Sequence, residues 1–466
     1  MTQKDQTLEA GAQSAGFDAV EKKAVFSLAG IYMLRMMGLF MILPVFSLYA
    51  DTLEGATHTL MGLAIGVYGL TQATLQIPYG MISDRIGRKP VIITGLIIFA
   101  CGSALAAMSH SIYGVILGRA LQGAGAIAAT VMAMVADLTR EENRLKAMSI
   151  IGVNIGMAFA ISLVLGPLFN NWIGVPGIFW LTSILAIAAV FFVKFIVPNP
   201  VRSSFHRDAM TAPAQIRDVL SNAQLLRLDF GVFILHLMLT ATFVTVPLAL
   251  RDYAGLAIAH HWEVYLPVMA VSLLVMVPFV IIAEKKRRMK QVFAAAVMTL
   301  GIAQLVFMVI YHSLAGIVFS LFMFFIAFMV LEATLPSLVS KISPSDHKGT
   351  AMGMFSTSQF LGAFFGGWGG GWVLQHFGIQ AVFGVCSALA VIWFMVAVTM
   401  QSPRYLSSHL IKVGKVDDKR ARQLVSELTA VTGVAEAIVV IEEGVAYLKV
   451  DLHALDRDAL QQFATT

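Results

Sequence analysis

Apolar runs of about twenty residues, long enough to cross a bilayer, recur twelve times along the chain. They lie at 24–50, 58–83, 91–109, 111–136, 147–170, 174–197, 228–250, 262–283, 291–311, 313–339, 349–374 and 380–400. Short polar connections separate them, and the pattern predicts an all-α membrane protein with twelve transmembrane helices. Lys and Arg crowd alternate connections: Arg85, Arg88 and Lys89; Arg140, Arg144 and Lys146; Arg202, Arg207 and Arg217; Lys285, Lys286, Arg287, Arg288 and Lys290; Lys341 and Lys348. The other connections offer Arg251 alone, so the positive-inside rule places both termini in the cytoplasm.

The pattern repeats. "IPYGMISDRIGRKP" (77–90) aligns with "VPFVIIAEKKRRMK" (277–290), pairing Pro78 with Pro278, Asp84 with Glu284, Arg85 with Lys285 and Arg88 with Arg288. "SIYG" at 111–114 matches "SLAG" at 313–316, and "AMSIIG" at 147–152 matches "AMGMFS" at 351–356. Two parallel six-helix halves with substrate held near the midplane between them follow from such a repeat. The expected organisation is a cytoplasmic tail at 1–23 without signal-peptide character, a first half at 24–198, a linker at 199–227, a second half at 228–402 and a soluble unit at 403–466. In the linker, Ile216, Val219, Leu220 and Ala223 at helical spacing, opposite Arg217, Asp218, Ser221 and Asn222, predict a short helix lying on the membrane surface. In the last unit "HLIKV" (409–413), a helix from Asp418, "EAIVVI" (436–441), a turn at Glu443-Gly444, "AYLKV" (446–450) and a short helix from Asp456 read as β-α-β-β-α. That order predicts a small α+β ferredoxin-like cytoplasmic domain lacking its last strand.

Composition narrows the class. Charged residues make up 13% of the 466, against about 25% in soluble domains, and the mean hydropathy is +0.80. The net charge of +5 is dispersed over short loops, which points to membrane topology and not to a nucleic-acid partner. Cys101 and Cys386 each stand alone in an apolar run, so neither a disulfide nor a metal site is expected. The chain offers no nucleophile–base constellation and no phosphate-binding loop, which argues against an enzyme or an ATP-driven pump.

One loop carries more order than topology requires. Gly80-x-x-x-Asp84-Arg85-x-Gly87-Arg88-Lys89 sets acid, base and glycine at fixed spacing between the second and third spans, whereas the positive-inside rule explains only the bases. With this motif the chain, over 24–400, resembles the major facilitator superfamily and within it the proton-coupled drug-antiporter branch. The resemblance implies a major facilitator fold and alternating access driven by a transmembrane proton gradient with no other cofactor. It further implies a small-molecule substrate, a monomer and the bacterial inner membrane. Asp84 is placed to face the N-terminal dipole of a helix in the other half, worth about 0.3–1 kcal/mol when exposed; the resemblance puts that helix at the eleventh span, near Gly349. Arg88 is expected to pair with Asp137, and Gly80 to let two helices approach closely. These contacts are expected only when the cytoplasmic side is closed, so that they bias a two-state equilibrium. In the second copy Arg287 stands where Gly87 does, which marks it as the weaker relic.

Polar residues inside the spans are the candidates for a proton and substrate pathway, because a charge at that depth costs about 2.5–3.5 kcal/mol unless it faces a cavity or partner. Arg119, with Gln122, Gly123 and Gly125, resembles the family's Arg-x-x-Gln-Gly-x-Gly motif; it either tunes a carboxylate's proton affinity or bonds backbone carbonyls and fixes packing. Glu332 is the deepest acid, a proton carrier or a structural partner. Arg35 suits an anionic substrate group, a transient acid or another buried polar group. His236 belongs to the residue type that changes charge near neutral pH, yet a lone core histidine is often simply hydrogen-bonded. Gln72 and Gln76, one turn apart, line a cavity or pack. Gly166-Pro167 resembles the antiporter helix-bend motif, although Asn170 and Asn171 replace its glycine pair and Ser162 stands one turn earlier. The glycine-rich "GAFFGGWGGGW" (362–372) fits a close-packed or hinging helix. Two functions stay open: a proton-coupled efflux antiporter, or a passive or sensing membrane protein whose C-terminal domain is the output. That domain resembles small metal-chaperone domains in element order, but its first loop, "GKVDDKRA" (414–421), has no cysteine.

Overall fold

The computed structural model describes residues 16–199, 213–343, 348–401, 407–414, 416–441, 444–451 and 454–463. It divides into two compact units, Met1–Met400 and Gln401–Thr466.

The first unit is helical throughout: α1 Ala19–Phe40, α2 Leu43–Ala50, α3 His58–Ile86, α4 Arg88–Met108, α5 Ile112–Ala124, α6 Ala128–Leu138, α7 Glu141–Phe195, α8 Pro213–Ser221, α9 Ala223–Asp252, α10 His261–Lys285, α11 Met289–Ile310, α12 Leu314–Ile342 and α13 Lys348–Val398. Among the described residues ten helical segments are long and apolar enough to cross a membrane. Two of them are interrupted by a glycine with left-handed backbone, Gly174 in α7 (φ 67°) and Gly378 in α13 (φ 80°), so each comprises two helices. Helix α1 begins at Ala19, ahead of the expected 24, because Asp18 caps it and Glu21 bonds back to the Asp18 amide; this reciprocal pair satisfies two otherwise orphaned donors. The repeated "SIYG" and "SLAG" have the same physical role: Ser111 and Ser313 are the N-caps of α5 and α12.

The linker holds a short helix, α8, as the spacing predicts. Val219 is buried, but Leu220 is 49% exposed and Ala223 already opens α9, with Asn222 as its N-cap. The cap ends the apolar stripe before it covers a full face.

Glycines decide how α3 meets α13. A Cβ on Gly62, Gly66 or Gly69 would lie 2.0, 2.6 or 2.4 Å from the carbonyl oxygens of Gly367, Phe364 and Phe360, and one on Gly371 would lie 2.3 Å from that of His58. The backbones therefore touch, a spacing only small residues permit. The opposite face of the same run packs on α9, where Gly362 and Gly366 oppose the carbonyls of Phe233 and Leu237. The "GAFFGGWGGGW" run is thus a two-sided contact between neighbouring helices.

The second unit holds β1 Ser407–Lys412, α14 Asp418–Ala430, β2 Val434–Val440, β3 Val445–Val450 and α15 Arg457–Gln461. The sheet order is β1-β3-β2, with both pairs antiparallel and Leu448 opposite His409 and Ala437. Alternation along β3 turns Ala446, Leu448 and Val450 inward onto Leu424 and Leu428 of α14, the period of two that a half-covered sheet imposes.

Candidate functional site

The loop between α3 and α4 is built around one guanidinium. Gly87 ends α3 at φ 96°, a left-handed turn that suits glycine, and Arg88 opens α4 directly after it. Arg88 is 2% exposed; its Nη1 bonds the Asp84 carboxylate and, at 2.6 Å, the Ser83 hydroxyl, while Nε donates to Asp137 Oδ2 at 3.0 Å. Lys89 Nζ donates to the Val197 carbonyl at 2.6 Å; Arg85 is exposed in the last turn of α3. The bonds from Arg88 join α3, α4 and α6 of one half. They form while α3 touches α13 from His58 to Gly69 and reaches it again at Gln76. Asp84 likewise bonds Arg88 and makes no contact with the start of α13 among the described residues, its side chain being 32% exposed. Gly80 packs on Ala129 of α6: a Cβ there would sit 3.6 Å from that of Ala129, in ordinary van der Waals contact.

In the second copy, Arg287 keeps the left-handed turn without glycine, at φ 54°. Glu284 accepts from Ser337 at 2.8 Å and pairs with Lys341 of α12. This pair is partly exposed, its side chains 26% and 41% accessible, where Arg88 and Asp137 of the first copy are buried.

Deeper in the first half, two guanidinium groups flank one ring. Arg35 of α1 and Arg119 of α5, 3% and 1% exposed, lie 5.8 and 5.2 Å from the centroid of Tyr68, and Arg35 lies 5.5 Å from that of Phe99. Arg35 Nη2 donates to Gln72 Oε1 at 2.6 Å and to the Gly125 carbonyl at 3.1 Å. Arg119 donates to Gln122 Oε1 at 2.9 Å and to the Ala64 and Ile65 carbonyls of α3 at 3.3 and 3.4 Å; the Gln122 amide nitrogen donates in turn to the Ser103 hydroxyl at 2.7 Å. No carboxylate pairs with either arginine among the described residues; the bonds Arg119 makes go to backbone carbonyls and Gln122. Gln76, the other glutamine, reaches across to Thr357 of α13 at 2.7 Å.

The second half gathers polar groups of its own. His236 of α9 and Glu332 of α12, two separate candidates in the sequence, lie 3.7 Å apart from Nε2 to Oε2. Gln359 of α13 joins them, its amide nitrogen 2.8 Å from His236 Nε2 and 3.5 Å from Glu332 Oε1. His236 Nδ1 sits 3.1 Å from the Val232 carbonyl. A carbonyl only accepts, so Nδ1 carries the proton and the neutral ring offers Nε2 as acceptor to Gln359. Two turns earlier on α9, about 10 Å along the axis, Asp229 is 8% exposed and makes no hydrogen bond or ion pair among the described residues. Sequence reasoning missed Gln359, Tyr68 and Asp229. Asp229 had a signal, an acid in the apolar "RLDFGVF" (227–233), but it fell at the edge of the span; Gln359 and Tyr68 stand out only through their neighbours.

Gly166, before Pro167, lies against the junction of α1 and α2: a Cβ would meet the Met41 carbonyl at 2.4 Å, and Ser162 donates to the Met37 carbonyl of α1 at 3.3 Å. Between the halves, Ser47 donates to the Phe243 carbonyl, Arg251 pairs with Asp51, and Gln375 accepts from the Thr59 amide. All three contacts lie at the end of the bundle opposite the 80–89 loop.

A long apolar bundle with polar clusters in both halves is matched by a family model. Residues 28–367 and 290–424 fit that of the Major Facilitator Superfamily. The chain belongs to this superfamily. It is a multi-pass membrane protein of a family of transporters, not of enzymes. The chain is 46% identical over 442 residues, 95% of its length and 97% of the relative's, to the inner membrane transport protein YajR of Escherichia coli (strain K12). It is 27% identical over 351 residues, 73% of its length and 84% of the relative's, to the multidrug resistance protein MdtH of Yersinia enterocolitica. Its fold matches, with TM-score 0.69 at 14% identity over 83% of this chain and 98% of the other, a bacterial homologue of the human lysosomal transporter Spinster in an inward-facing and occupied conformation.

Proposed function

We propose that the chain is a proton-coupled secondary transporter, an efflux antiporter that moves a small, amphipathic organic molecule across the inner membrane by alternating access. The observation that carries this reading is the His236–Glu332–Gln359 cluster. An acid and an imidazole 3.7 Å apart, inside spans where unpaired charge is costly, form a site that one proton rearranges. Protonating His236 turns Nε2 from acceptor into donor toward Glu332, and the Gln359 amide must then reorient. Because Gln359 lies on α13, which packs on α3 of the other half, the change of charge acts on a helix that joins the halves.

With the charged loops and both termini read as cytoplasmic, the Ser47–Phe243, Arg251–Asp51 and Thr59–Gln375 contacts at the opposite end support an inward-facing reading. We read the chain as twelve crossings working as a monomer, and Gln401–Thr466 as a ferredoxin-like unit without its last strand. The name of the MdtH relative supports export of drug-like molecules; the 46% identical YajR supports the inner membrane.

Inverted vesicles carrying a proton gradient and challenged with a panel of toxic organic compounds test the reading. The gradient should collapse on addition of a transported compound, and Glu332→Gln should abolish that collapse while leaving exchange of the compound down its own gradient. Flux in the wild type that ignores the proton gradient refutes the coupling.

A further inference from the structure

The polar account of the first half does not balance. Arg35 Nε and Nη1, the Gln72 amide nitrogen and the Tyr68 hydroxyl are buried without a hydrogen-bond partner among the described residues, and all belong to side chains at most 3% exposed. Every one of these groups can donate. The carbonyl and amide oxygens beside them each already take one bond: Gln72 Oε1 and the Gly125 carbonyl from Arg35, Gln122 Oε1 and the Ala64 and Ile65 carbonyls from Arg119. Two guanidinium charges share this region with no ion pair among the described residues. A buried cation needs an opposite charge, and arginine's planar fork fits a carboxylate. A water molecule would take up donors but leave the charge.

We propose that Arg35, Gln72 and Tyr68 form the receptor for the negatively charged group of the substrate, and that the substrate class is an organic carboxylate with an apolar body. A carboxylate, which accepts through two oxygens, answers both the surplus donors and the surplus charge. The rings of Tyr68 and Phe99 supply the apolar surroundings of the guanidinium. Access follows the conformational cycle. The ring of Phe360, on α13, lies 6.3 Å from that of Tyr68, and the Phe360 carbonyl rests on Gly69. An anion held by Arg35 is therefore enclosed while α3 and α13 touch, and exposed when they part. This proposal rests on reading the chain as a carrier of a small organic molecule.

The test is equilibrium binding to the purified full-length protein without any gradient, using benzoate and 2-naphthoate beside their uncharged amides. At least one carboxylate should bind saturably and about tenfold or more tighter than its amide, the factor expected of a charge-assisted hydrogen-bonded contact. Arg35→Gln should erase that preference, and Arg35→Lys should keep part of it. Gln72→Glu places a carboxylate of the protein's own beside Arg35; it should block the ligand while raising the melting temperature, so the loss of binding is not a loss of fold. Equal binding of carboxylate and amide, no saturable binding of either carboxylate, or a preference that survives Arg35→Gln overturns the proposal. Failure of proton coupling, by contrast, appears in the vesicle flux of the Glu332 variant and leaves this binding preference intact.

Discussion

Replacing Gly66 by alanine tests whether the α3–α13 glycine seam governs which face of the carrier is closed. The new Cβ would lie 2.6 Å from the Phe364 carbonyl oxygen and 3.1 Å from the Phe364 Cα. Both are backbone atoms, so no rotamer change relieves the clash; the helices must separate by about 0.8 Å to restore the roughly 3.4 Å of ordinary contact, which forfeits packing on both sides. Overpacking of this kind costs about 1–3 kcal/mol. The cost falls only on the state in which the two halves touch there, whereas the intrinsic helix preference of alanine over glycine, about 1 kcal/mol, applies in both states and cancels. The ratio of states should therefore move about 5- to 150-fold toward the one with α3 and α13 apart. Thr59 and Gln375, in direct contact across the seam, can carry spin labels on cysteines in a background where Cys101 and Cys386 are serine. Pulsed electron resonance on the protein in lipid nanodiscs should show a longer-distance population growing in Gly66→Ala. Gly369→Ala on α13, where a Cβ would meet nothing within 4 Å, should leave the distribution unchanged. If the two variants give the same distances, the seam does not set the equilibrium.

Three further outcomes are expected. Asp84→Asn, which weakens the acid's hold on Arg88, should abolish transport while the protein still inserts, as judged by membrane fractionation and a flux assay; full transport refutes a switching role. Arg88→Gln removes the guanidinium from the fully buried Asp137 carboxylate and should lower the melting temperature, with a loss of about 3–5 kcal/mol as for other broken buried pairs, whereas exposed Arg85→Gln should change it little. Deleting residues 403–466 should leave the transmembrane bundle folded by circular dichroism, since residues from Gln401 onward pack around a core of their own. A change in flux in that variant identifies regulation by the C-terminal unit, and unchanged flux rejects it.

The sequence by itself determined the spans, the match of "SIYG" with "SLAG" and the 80–89 motif, because each depends on hydropathy, spacing or chemistry within a few residues; that Ser111 and Ser313 cap helices came from the structure. It also marked Arg35, Arg119, His236 and Glu332, since charge within an apolar run is visible without a partner. Which groups meet was decided only by tertiary structure. His236 and Glu332 are 96 residues apart in the chain, and no periodicity predicts that α9 and α12 bring them to 3.7 Å or that Gln359 completes the cluster. The glycines of 362–372 announced close packing, but not that one face meets α9 and the other α3. Gly80 suggested a close approach by its identity, and only the packing shows that its neighbour is Ala129 of α6, with room for a Cβ at ordinary contact distance. The donor surplus around Arg35 is likewise a property of neighbours. A sequence names the donors, and only packing shows which acceptors reach them.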